Sequence, residues 1–480
     1  MKKLPEFARF FLVAIFSMAL LGISYAQPAV STTDDATPTG FYWVTFKNKA
    51  GTPYSVKNPE AFLSPKALAR REKANIPVTT QDLPVNPKHV NQLVESGAVV
   101  QYTSRWFNAA TIKATADVAK KLEALPNVAS VAFVGKTPVV SVWKNKAPEG
   151  TFDAERKAAP IDSLHYGYAD QQIRQLNGQS LHALGYLGAG ITVVVLDGGF
   201  TSADKQFVFD SLRVKHLLTP ARDFVDNDWE VCESSSHGTQ VLSVMAGNQP
   251  GVLVGGAPNA AYVLVKTEDV RSEYRVEECN WIAGLEFADS IGADIVNSSL
   301  GYTTFSDTSM DYEYRNLDGT SNASQAAELA TARGMIVVNS AGNEGSSDWK
   351  YVGVPADSKG AFSIGAVNSK GEKAGFSSFG PTADGRIKPD VSAPGARVMA
   401  ASASSNQIRP TSGTSLSAPM ISGMIAALWS AFPEKTNAEI MDAVRKSGSQ
   451  ADAPDNELGY GIPDFLKAYQ LLKGKMVEKP

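Results

Sequence analysis

The stretch Ser412-Gly413-Thr414-Ser415-Leu416-Ser417-Ala418-Pro419 places a serine at the mouth of an apolar helix. The turns that follow carry Met420, Ile421, Met424, Ile425, Leu428 and Trp429. A serine hydroxyl is a weak nucleophile until a base takes its proton. A helix N-terminus supplies unpaired N–H groups and partial positive charge where an oxyanion would form. Gly413 permits a tight bend just before that start. Taken alone, the stretch reads equally well as an ordinary capped, buried helix, because Ser and Thr are common N-caps.

Three other stretches hold groups that would make Ser415 reactive. Ile191-Thr192-Val193-Val194-Val195-Leu196 reads as a strand buried on both faces, and it stops at Asp197, Gly198 and Gly199. A carboxylate at the end of such a strand can accept from an imidazole N–H and stabilise the imidazolium. It also reads as a plain turn aspartate. Of the five histidines (His89, His165, His182, His216 and His237), only His237 lies in a Gly/Ser-rich junction leading into a helix. That helix would turn Leu242, Met245 and Ala246 inward and stop at Gly247. Met335-Ile336-Val337-Val338-Asn339 is another buried strand, and it runs into a small-residue turn with Asn343. An asparagine amide there can donate to an oxyanion, or simply adopt left-handed turn geometry.

Positioning these groups falls to alternating strands and helices. Residues 261–265, 293–297, 335–339 and 361–367 read as strands, and residues 281–290 and 324–333 as helices. The alternation implies an α/β fold with a doubly wound, mostly parallel sheet over residues 166–472, closed by a helix at 462–472 and a tail at 473–480. Residues 40–135 read as a smaller α+β unit. Its strands fall at 41–46, 98–102, 108–114 and 128–134, and its helices at 64–74 and 117–125, an order that fits a ferredoxin-like fold. Residues 136–165, with Lys144, Lys146, Pro148, Glu149, Gly150 and Pro160, form a polar, poorly periodic junction.

The composition is that of an ordinary globular protein with a formal net charge of -4. It holds no basic run of the kind nucleic-acid binding needs. Residues 1–26 read as a secretion signal. Lys2 and Lys3 precede an apolar stretch at 10–23, and Ser24-Tyr25-Ala26 forms a small-x-small cleavage site before Gln27. The competing reading, an uncleaved anchor, suffers from the shortness of the apolar run. The expected destination is therefore outside the cell or in a periplasm, with no stable membrane anchor.

Leu-Asp197-Gly-Gly, Ser-His237-Gly-Thr, Ala-Gly-Asn343-Glu-Gly and Gly-Thr-Ser415-Leu-Ser-Ala-Pro, in that order, resemble the subtilisin-type serine proteases, the subtilases of peptidase type S8. Gly256-Ala257-Pro258, Phe376-Ser377-Ser378-Phe379-Gly380-Pro381 and Lys388-Pro389-Asp390-Val391-Ser392-Ala393-Pro394-Gly395 extend the likeness from about residue 166 to about 469. One departure is Gly198, where most relatives carry Ser or Thr. The resemblance implies peptide hydrolysis by Asp197, His237 and Ser415, with Asn343 on the oxyanion. It implies that Ser299, Leu300 and Gly301 pair with the substrate backbone, and that Ala341 and Gly342 line the main specificity pocket. No charge lies in those stretches, so apolar or broad preference is expected. Residues 40–135 are similar to the propeptides of this family and would serve as intramolecular chaperone and inhibitor, with maturation inside 136–165. An unrelated accessory domain is the alternative.

In an exported protein, Cys232 and Cys279 are expected to form one disulfide bracing the cleft, with two buried thiols as the alternative. The carboxylates around them make a poor zinc set. No cofactor is required. Calcium is a weaker expectation: the loop at 247–253 lacks carboxylates, and Asp307, Asp311, Glu313 and Asp318 form an acidic stretch that could hold a hard cation or simply be solvated. The partners expected are polypeptide substrates and the chain's own propeptide, acting on a monomer. Two rivals remain: an inactive peptide-binding protein on the same scaffold, and a serine hydrolase of esters or cell-wall amides.

Overall fold

A computed structural model describes residues 39–138 and 165–474. The expected signal segment, most of the 136–165 junction and the end of the tail lie outside the described residues.

The first strand shows how sequence alternation is used. In β1 (Thr39–Phe46), Val44 and Phe46 face a small core with Leu93, Ile112 and Leu122, and Tyr42 packs against it. Phe41 and Trp43 turn the other way and join a second core that includes Trp281 and Ile282. A period of two thus makes one strand serve two cores. β1 lies between β3 (Ala109–Thr115) and β4 (Val128–Lys136), and β2 (Val99–Ser104) flanks β3. All these pairings are antiparallel, in the order β2-β3-β1-β4 expected for the ferredoxin-like reading. Helix Pro87–Glu95 was not anticipated. Asn86 accepts from Lys88 N at 3.0 Å and Pro87 occupies the first helical position, a start signal present in the sequence.

The large sheet follows with β5 (Thr192–Asp197) and β6 (Leu218–Asp223), then the short pair β7 (Asn248–Gln249) and β8 (Leu253–Val254) beside it. It is completed by β9 (Ala261–Lys266), β10 (Ile295–Ser298), β11 (Ile336–Ser340), β12 (Ala361–Val367) and β13 (Val391–Pro394). The order is β13-β12-β11-β10-β5-β9-β6, and every pairing is parallel. Both faces are covered, so the strands lack polar alternation. In β5, Val193 and Val195 face helices His237–Ala246 and Thr414–Ser430, whereas Val194 and Leu196 face Val276–Ile291 and Asn322–Ala332.

This layering corrects the disulfide expectation. Both cysteines are free. Cys232 packs against the core on the Thr414–Ser430 side, while Cys279 belongs to the core on the opposite side of the sheet. Burial pushes the Cys232 thiol up to about 11 and raises Cys279 further. Among the described residues, no helix is long and apolar enough to cross a membrane.

Candidate active site

Parallel strands deliver their carboxyl ends to one edge. β5 ends at Asp197, β10 runs into Ser299, and β11 runs through Ser340 towards Asn343. β5 and β10 are neighbours, with β9 and β6 to one side and β11 to β13 to the other. Such a reversal of strand order opens a crevice at the carboxyl ends.

Asp197 is buried, and its two oxygens lie 3.0 and 2.9 Å from His237 Nδ1. That contact puts the proton on Nδ1 and leaves Nε2 as an acceptor. Gly198 N donates to Asp197 Oδ1 at 2.8 Å, so the carboxylate has a backbone donor although residue 198 brings no side-chain hydroxyl. The charge of Asp197 raises the His237 pKa above its usual 6.5; burial opposes this and the hydrogen bond adds to it. Gly199 has φ +136°, and a Cβ there would lie 2.1 Å from the Glu233 carbonyl, so only glycine fits between Asp197 and the loop before His237. His182 makes a useful contrast. It is enclosed between Tyr166 Oη at 3.0 Å and the Gly256 carbonyl at 2.9 Å, and burial pushes its pKa down to about 4. It has a structural setting with no carboxylate partner.

Ser415 lies in the first turn of Thr414–Ser430, where helix N–H groups have no intrahelical acceptor. Nearly the whole helix is buried, as its all-round apolar surface requires. Pro419 has no N–H to give to the carbonyl four residues back, which is that of Ser415. The freed Ser415 carbonyl accepts from Ser299 Oγ at 2.9 Å. In return, Ser415 Oγ donates to the Ser299 carbonyl at 3.3 Å. The nucleophile candidate is therefore tied to the β10 extension at rest, through a long and weak hydrogen bond.

The Asn343 amide is oriented by Thr414. Thr414 N donates to Asn343 Oδ1 at 2.9 Å. A backbone N–H can only donate, so the atom facing it is the oxygen and Nδ2 points the other way. Thr414 was not singled out from sequence, and its role depends on a contact across 71 residues.

Asp197, His237, Asn343 and Ser415 line one cleft of about 330 Å³, together with Ser299, Leu300, Gly301, Ala341 and Gly342. Glu268, Glu273, Glu277 and Glu344 line it too, so the cleft is more acidic than the uncharged 299–301 and 341–342 stretches led us to expect. Glu268 lies two residues beyond the end of β9, the kind of position where functional groups gather. The cleft thus gathers a carboxylate-bonded imidazole, a hydroxyl and a side-chain amide donor.

The acidic stretch considered for calcium does not converge. Asp307 caps Ser309, Asp311 accepts from Phe305 N, Glu313 pairs with Arg315, and Asp318 accepts from Thr320. Among the described residues, the groups that could hold a cation are Asp223, Asp226 and Glu233, where Lys266 already sits, and Glu268, Glu273 and Glu277.

Residues 188–461 match Peptidase_S8, the subtilase family, and residues 41–149 match the Peptidase S8 propeptide domain of Bacteroidota. Subtilisin NAT of Bacillus subtilis subsp. natto is 28% identical over 366 residues, which cover 75% of this chain and 81% of that protein. A subtilisin of Bacillus pumilus is 31% identical over 291 residues, covering 60% of this chain and 92% of the relative. Among solved structures, MycP1 with its N-terminal propeptide removed aligns with 65% of this chain and 98% of its own at 21% identity, with a TM-score of 0.49. The subtilase match spans more than half of the sequence and a propeptide match precedes it, so this chain belongs to the subtilase family of serine proteases and carries an S8 propeptide domain.

Proposed function

We propose that this subtilase is an exported serine endopeptidase, made as a zymogen that cleaves itself within residues 136–165. The observation that carries the reading is the hydrogen-bonded Asp197–His237 pair in one cleft with Ser415, beside an Asn343 amide held in a single orientation. Ser415 Oγ leaves the Ser299 carbonyl and attacks the scissile carbonyl carbon while His237 Nε2 takes its proton. Asp197 steadies the imidazolium. The former carbonyl oxygen, now negative, accepts from Asn343 Nδ2 and Ser415 N–H. Collapse expels the amine, which takes the proton from His237. Water then repeats the sequence on the acyl-enzyme and releases Ser415.

Ser299 to Gly301 would hold the peptide backbone as an added strand, a binding mode that tolerates varied side chains. Residues 40–135 act as the inhibitor domain and 166–472 as the catalytic domain. The test is labelling of Ser415 by a neutral fluorophosphonate, with turnover compared on casein, esters and muropeptides. Labelling with casein hydrolysis supports the reading. Absence of labelling on folded, processed protein favours an inactive binding protein, and turnover confined to esters or muropeptides favours the other hydrolase class. Ser415→Ala should accumulate unprocessed chain. Normal maturation of that variant in a host lacking other proteases would refute self-cleavage.

A further inference from the structure

Among the described residues, three carboxylates in the cleft have no positive partner. Glu268, Glu273 and Glu277 each offer an oxygen within 4.8 Å of the others, grading from exposed Glu273 to buried Glu277. None forms an ion pair among the described residues. The cations nearest in sequence are engaged elsewhere: Lys266 by Asp223 at 2.8 Å and Asp226 at 2.9 Å, Arg271 by Asp269 at 2.6 Å and Asp226 at 3.0 Å, and Arg275 by the Met310 carbonyl at 2.9 Å. Glu268 accepts from Tyr302 Oη at 2.7 Å and Thr267 Oγ1 at 3.0 Å, and Glu277 Oε1 accepts from Asp269 N at 3.0 Å. Glu277 Oε2 is different. Its residue is 1% exposed, and no N–H or hydroxyl among the described residues reaches this oxygen; the Glu277 contact with the Glu273 carboxyl is a hydrogen bond only when one of the two carries a proton. A buried carboxylate oxygen without a donor is costly, and native structures keep few of them. Burial first, and then their acidic neighbours, raise Glu268 and Glu277 well above the ordinary carboxylate range, and burial raises Glu273; no cation among the described residues offsets this.

We propose that Glu268, Glu273 and Glu277 form a specificity subsite for a cationic side chain, lysine or arginine, of the polypeptide substrate. It rests on the endopeptidase reading above and deepens it. The cluster opens on the cleft that holds Ser415 and the Ser299–Gly301 stretch, where a substrate side chain would enter. An ammonium or guanidinium group brings three or more N–H donors, which suits one orphaned oxygen and two half-satisfied carboxylates. A calcium ion is the rival occupant, and it would need backbone or water oxygens beyond these three carboxylates to reach its usual six to eight ligands.

The experiment uses processed enzyme and paired fluorogenic peptides that differ only by lysine or norleucine at one of the positions flanking the scissile bond. The readout is the ratio of kcat/KM within each pair, which cancels the fraction of active enzyme. At one position lysine should win by about tenfold or more. Glu268→Gln/Glu277→Gln should bring that ratio close to one. Glu273→Gln, at an exposed side chain, should lower it less and serves if the buried double variant does not fold. Ratios near one at every position, with norleucine peptides still cleaved, would overturn the subsite and leave the endopeptidase standing. No cleavage of any peptide together with no fluorophosphonate labelling of Ser415 would remove both. Calcium chloride titrated alone supplies the other arm: tight binding lost in Glu268→Gln/Glu277→Gln, with a flat lysine ratio, would make the cluster a metal site and overturn the proposal.

Discussion

Helix Val276–Ile291 carries a buried carboxylate at each end, and the two have opposite surroundings. Asp289, in its last turn, faces Arg70 at 2.5 Å, Arg71 at 2.8 Å and Arg105 at 2.6 Å, all from the propeptide domain. Glu277, in its first turn, faces other carboxylates. The helix dipole alone would favour Glu277 and disfavour Asp289, by about 0.3–1 kcal/mol each. The pKa directions run the other way. Against the penalty of burial, Arg105, Arg71 and Arg70 hold Asp289 down at about 2, while burial and its acidic neighbours push Glu277 up. Specific partners within 3 Å outweigh the dipole. The compensated end fastens the propeptide domain to the protease; the uncompensated end borders the cleft. Around Asp289 the fastening continues with Arg333 on Asp82 at 2.7 Å and with Glu286, which accepts from Ser104 Oγ at 2.5 Å and Arg105 N at 2.8 Å.

The strongest way to sharpen this contrast is Asp197, the cleft carboxylate that does have a partner. Asp197→Asn should lower turnover by about four orders of magnitude with little loss of stability, checked by kcat and by urea unfolding. In the parent enzyme, kcat/KM should fall as pH drops through the His237 pKa, which lies above 6.5, because protonated His237 cannot act as base. Asp197→Asn removes the charge that raises it, so the inflection should move to lower pH. An unmoved inflection would mean another group sets the acid limb.

Breaking the compensated end comes next. Asp289→Ala leaves two buried guanidinium groups, Arg70 and Arg71, and the partly buried Arg105 without their common anion. In full-length Ser415→Ala protein it should cost about 3–5 kcal/mol of unfolding free energy. Because the folded Asp289 pKa is depressed to about 2, the stability it lends is present above the usual carboxylate pKa and lost only as pH falls towards 2. A loss of less than about 1 kcal/mol would show that the arginines do not depend on Asp289.

Asn343→Ala tests a neutral donor in the acidic cleft. It should lower kcat by about two to three orders of magnitude with little change in KM. A raised KM with kcat intact would instead make Asn343 a substrate-binding residue.

The smallest effect is expected at the uncompensated end. The Glu277 pKa is raised on folding, so its contribution is favourable below the unfolded value of 4.5 and is lost as pH rises through its folded value. Glu277→Gln should therefore be at least as stable as the parent at pH 8, and its advantage should shrink towards pH 4. A clear loss of stability at pH 8 would mean that Glu277 has a cationic partner and that the contrast with Asp289 is mistaken.

The residues proposed for the chemistry were readable as candidates because their settings are local. Asp197 ends a continuous apolar strand, His237 opens a helix after a Gly/Ser junction, and Ser415 opens an apolar one; strand and helix periods are written within a dozen residues. The alternation of β1 likewise announced a strand, and Asn86-Pro87 held a helix start that went unread. Contacts between distant segments left no such trace. Cys232 and Cys279 fell on opposite faces of one sheet, Thr414 fixed the Asn343 amide, and Pro419 released a carbonyl to Ser299. Asp289 met its arginines and Glu277 met none, although both are acidic residues of the same helix. Local pattern specifies which backbone conformation and which face a residue takes, since those depend on near neighbours in the chain. Whether a buried charge is answered depends on what arrives through space, and only the folded chain determines that.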